Sequence, residues 1–85
     1  MPRYDYPGGV LPEEKPLIEM FERDALPFVL KNGSEIGASA MQGDADCEEI
    51  IRRHRLFVEG LPHLRAWNYK LLTAALKRWE VKRTH

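Results

Sequence analysis

Apolar residues recur every three or four positions through most of this chain, in three separate runs. The first run is Leu17, Ile18, Phe21, Ala25, Phe28 and Val29. That spacing puts one apolar stripe on a helix over 16–31, with Glu19 and Arg23 one turn apart outside it. Pro27 falls inside this run. It has no N–H and its ring crowds the carbonyl four residues back, at a cost of about 3 kcal/mol, so a kink or break is expected there. Asn32-Gly33 then serves either as a helix cap or as the turn of a hairpin between 28–31 and 34–38. The cap is the better reading, because Gly37-Ala38-Ser39-Ala40 makes a poor strand. A short helix over 34–42 follows, with Ser34 as its expected N-cap and Ile36, Ala40 and Met41 as its apolar contacts.

The second run is Cys47, Ile50, Ile51, His54, Phe57, Val58 and Leu61, one stripe of a helix over 45–59. Asp44 or Asp46 can cap it, and Asp46 with Glu49 approximates a capping box. Gly60 supplies a stop and Pro62 suits the first turn of the next helix. The third run, Leu64, Trp67, Leu71, Leu72, Ala75, Leu76 and Trp79, gives that helix a broad apolar face over 62–82. It would be about 30 Å long at 1.5 Å per residue. The expected fold is all-α. The helices of 45–59 and 62–82 form an antiparallel hairpin, and the broken helix of 16–31 lies across its apolar groove. Both tryptophans are assigned to the core.

Residues 1–15 contain Pro2, Pro7, Pro12 and a Gly-Gly pair, and read as an extended arm ahead of a single helical domain over 16–85. Tyr4 and Tyr6 are its candidate anchors, to its own domain or to a partner. At 85 residues, one small core is all the chain can bury, so dimerisation would add to a thin margin. Cys47 is its single cysteine. No disulfide can staple the fold, which favours a reducing, cytoplasmic home. The N-terminal residues lack the basic start and apolar run of an export signal, and no apolar stretch reaches a membrane-spanning length.

Charge changes this picture most. Thirteen basic and thirteen acidic residues cancel overall, yet residues 1–50 hold four basic against eleven acidic side chains and residues 51–85 hold nine against two. The chain is therefore −7 in one part and +7 in the other. The parts neutralise each other within the fold or between subunits, or the second half meets an acidic partner.

Candidate chemistry is sparse. Cys47 and His54 stand seven residues apart, about 10 Å along a helix, too far to share one metal ion. The cluster Asp44, Asp46, Glu48 and Glu49 lacks the glycine of a calcium loop and reads as helix capping. No nucleophile elbow or glycine-rich phosphate loop is present. No enzyme, metal or cofactor is expected. The remaining signal is a basic helical face, Arg52, Arg53, Arg55, Arg65, Lys70 and Lys77, with Leu56 projecting away from the apolar stripe among arginines, a composition typical of interface centres. The expected function is a non-enzymatic protein-binding module, an adaptor or small inhibitor of the size found among phage and mobile-element accessory proteins, acting on an acidic protein surface. The competing reading is nucleic-acid binding through phosphate contacts of the same basic half.

Overall fold

The computed structural model describes residues 4–84, which are helical beyond the N-terminal arm, with no strand among them. The first rod comprises α1 (Lys15–Met20), a widened π turn (Phe21–Ala25) and α2 (Leu26–Lys31). Pro27 causes the widening. The Leu26 N–H donates to the Phe21 carbonyl five residues back, so the helix makes room for the proline ring and continues instead of breaking.

Asn32 joins this rod to α3 (Gly33–Met41). Its side-chain amide donates to the Phe28 carbonyl at 2.9 Å, and its own carbonyl accepts from Ile36 N–H at 2.9 Å. One residue thus ends α2 and begins α3. Ser34, the expected cap, lies inside the helix. The hairpin reading of Asn32-Gly33 is excluded, because both flanks are helical. Gly43, at φ +92°, closes α3 in the left-handed region where a side chain would be strained. There Asp44 N–H reaches the Ser39 carbonyl at 3.0 Å.

Asp44 caps α4 (Ala45–Glu59), accepting from Cys47 N–H at 3.0 Å. The expected capping box of Asp46 and Glu49 is not made, because Asp44 is the cap and Asp46 already lies in the first turn; both carboxylates bind arginines. A turn at Gly60 and one 3-10 turn (Pro62–Leu64) lead into α5 (Arg65–Thr84), antiparallel to α4. The α1–α2 rod lies in the groove of this hairpin. Its Phe21 ring sits 4.2 Å from Phe57 near the turn, and its Phe28 ring 6.0 Å from Trp79 at the far end. The whole measures 40 × 20 × 19 Å, about two helix layers thick.

The core is Ile18, Phe21, Leu26, Val29, Ile36, Cys47, Ile50, Phe57, Val58, Leu72, Leu76, Trp79 and Tyr6, with Ala25 and Ala75. Two expected core residues of the last run are elsewhere. Leu64 is 42 % and Trp67 55 % exposed. The inward face of α5 is Arg65, Asn68, Leu72, Ala75, Leu76 and Trp79. Leu72 and Trp79 set the phase of the helix, and at 100° per residue Trp67 lies about 140° from Leu72. Ile51 and Leu61 likewise leave the α4 stripe for the surface.

The arm is packed on its own domain; its first three residues lie outside those described. Tyr6 is buried and donates from its hydroxyl to Glu22 at 2.7 Å. Its φ of 48° is uncommon for a residue with a side chain. Burial of the ring and the bond to Glu22 offset that strain.

Candidate protein-binding face

The +7 and −7 parts of the chain meet inside the molecule. Arg65 binds Glu14 at 3.0 Å, Arg78 binds Asp46 at 2.8 Å, Lys82 binds Asp44 and Asp46 at 3.1 and 2.9 Å, and Arg83 binds Glu35 at 3.3 Å. Each of these pairs joins a base from the second part to an acid from the first. Arg78 and Lys82 hold the Asp46 carboxyl below the ordinary carboxylate range, while the Cys47 amide, then Lys82, does the same for Asp44. The Arg78 and Lys82 pairs fasten the free end of α5 to the start of α4 at the surface, where each contributes little alone.

The expected face residues separate into five groups. Arg52 and Arg53 both reach Glu49, at 3.2 and 2.5 Å, and Arg53 also donates to the Asn68 side-chain oxygen at 2.9 Å. Arg53 is thus a brace between α4 and α5. Arg55 lies on the other edge of α4 and lines a groove. Arg65 points inward: its side chain is completely buried, which removes it from the binding face and gives it a structural task. Lys70 and Lys77 are exposed and make no ion pair among the described residues. Leu56 is exposed, as its place off the stripe implied.

Sequence reasoning missed Trp67. Ala74 and Val81 fall on the same outward ridge of α5 as Trp67, Lys70 and Lys77, at spacings of three and four. Trp67 and Val81 are more than half exposed. The missing signal was visible in hindsight in Arg65 and Asn68: two polar residues at i and i+3, in line with Leu72, Ala75 and Trp79, mark the inward phase once the arginine has a buried partner.

A groove of about 460 Å³ lies between the arm, the α2–α3 junction and α4. Val29, Ile36, Ile51 and Val58 form its apolar wall, and His54 and Arg55 stand on its rim. The Tyr4 hydroxyl lies 3.3 Å from His54 Nε2. Burial pushes the His54 pKa down, so the ring is neutral near pH 7. Cys47 is fully buried, and burial pushes its thiol pKa up, away from thiolate chemistry. Among the described residues, no group of three or more His, Cys, Asp or Glu is placed to hold a metal ion. Among the described residues, no helix is long and apolar enough to cross a membrane. No family model, curated protein or solved structure matches the chain.

Proposed function

We propose that this chain is a non-enzymatic protein-binding module, an adaptor or small inhibitor of a reducing compartment, which lays the outward ridge of α5 on an acidic protein surface. The observation that carries the reading is Trp67, 55 % exposed on a ridge with Lys70 and Lys77. A large rigid ring in the open, flanked by uncommitted cations, has the make-up of an interface anchor with a charged rim. An acidic partner follows from the lysines, because the other cations of the basic half are largely committed to carboxylates within the fold.

Phosphate binding has a narrower base. Four of the seven cations that would line phosphates, Arg52, Arg53, Arg65 and Arg78, are tied to carboxylates. The test is capture of an acidic partner by the chain and by the triple substitution Trp67→Ala, Lys70→Glu, Lys77→Glu. Capture should be lost while helicity is kept; undiminished capture overturns the proposed ridge. A shift of random DNA or RNA at about 50 mM salt, falling log-linearly with a slope near 3 or steeper, would instead favour the nucleic-acid reading.

A further inference from the structure

We propose that a second copy of this chain docks on the outward ridge of α4, about a two-fold axis beside Leu56 that pairs Arg52 of each copy with the partner's Glu59. This rests on a different helix from the α5 ridge and does not depend on that reading. Arg52, Leu56 and Glu59, at i, i+4 and i+7, form one stripe of α4, opposite the side that carries Ile50 and Phe57. All three are exposed, Leu56 by 37 %. Glu59 makes no ion pair among the described residues, and Arg52 has only an exposed bond to Glu49.

Read along the helix, the stripe is basic, apolar, acidic. Such an order is its own complement when two copies run antiparallel, as an isologous interface requires. A two-fold axis level with residues 55–56 sets Leu56 against its copy and forms the Arg52–Glu59 pair twice. Charge selects this register against its neighbour. With the axis between Arg53 and His54, Arg52 would face the partner's Arg55, and Glu48 the partner's Glu59, like against like.

Two helical turns from each copy make a small interface, so the dimer is reversible. Sedimentation equilibrium from about 10 μM to 1 mM, the range of weak and small interfaces, should show monomer passing to dimer. Glu59→Arg and Arg52→Glu should each weaken association about tenfold or more, and the double exchange should restore it. Glu48→Arg should leave it unchanged. Added salt should weaken the wild-type dimer, a readout that needs no variant. A chain still monomeric at 1 mM, a double exchange that folds without recovery, or loss with Glu48→Arg but not with Glu59→Arg would each overturn the proposal.

Discussion

Arg65 and Glu14, 51 positions apart, form an ion pair at 3.0 Å with both side chains buried. The guanidinium also donates to the Phe57 carbonyl at 2.7 Å, to the Gly9 carbonyl at 2.6 Å and to the Val58 carbonyl at 3.4 Å, and lies 5.1 Å from the centre of the Tyr6 ring. One side chain therefore ties the arm, the end of α4 and the start of α5 together. Each of its three nitrogens has an acceptor in the interior, which is the condition for burying a charge.

Removing Glu14 should be costly for that reason. Glu14→Ala leaves a buried cation with carbonyl partners alone, and should destabilise the fold by about 3 kcal/mol, at the low end for a broken buried pair because those carbonyls remain. Glu14→Gln keeps an acceptor and should cost less. Urea unfolding of both variants checks the order; equal stability of Glu14→Ala and wild type would show that the pair does not hold the arm.

The two tryptophans should behave oppositely. Trp79 is 4 % exposed and packed against Phe28, so Trp79→Ala should cost about 3–5 kcal/mol. Trp67→Ala removes a ring that faces water, and should change stability by no more than about 0.5 kcal/mol. Fluorescence of the single-tryptophan variants gives an independent check: Trp67 should be readily quenched by iodide, and Trp79 protected.

The helices and their order were legible because periodicity and capping residues act locally: Asn32, Asp44 and Pro62 sit where the sequence implies a boundary. The rotation of α5 was not legible. A stripe as broad as Leu64, Trp67, Leu71 and Leu72 allows several phases, and the choice is made by Arg65, which turns inward only because Glu14, from the far end of the chain, is there to meet it. The same long-range fact explains why a face drawn from seven residues keeps its exposed lysines and loses Arg65. Internal pairing of the two charged parts was one of the readings of the composition, and it forms because the antiparallel hairpin returns the end of α5 to the start of α4.

Stability should depend on pH through His54. Burial lowers its pKa below the ordinary value of 6.5, so as pH falls through that range the unfolded chain takes up protons more readily than the folded chain. The contribution is present above pH 6.5 and is lost as pH falls from there through the folded value. Asp44, Asp46 and Glu49 also have lowered pKa values, but their contribution is present above the ordinary carboxylate range and is lost at lower pH. Urea midpoints measured from pH 7.5 to 5.5 should therefore fall in wild type and stay nearly level in His54→Gln. A parallel fall in both would place the titrating group elsewhere.

Gly8 and Gly60 meet backbone to backbone, and this contact decides where the arm crosses the hairpin turn. A Cβ on Gly8 would collide with the Gly60 carbonyl oxygen, and one on Gly60 with the Leu56 carbonyl oxygen. Gly60 has φ −83°, so close approach, not the left-handed backbone implied by a helix stop, is what requires a glycine there. Gly8→Ala should lift the arm locally: faster amide exchange at Gly9, whose N–H bonds to Tyr6, and earlier proteolysis before Pro12, with α4 and α5 protected as in wild type. Gly60→Ala strains the hairpin itself and should lower global stability by about 1–3 kcal/mol, seen as a shift in the urea midpoint at unchanged slope. Unaltered exchange at Gly9 in Gly8→Ala would mean that the arm can cross the turn along another path.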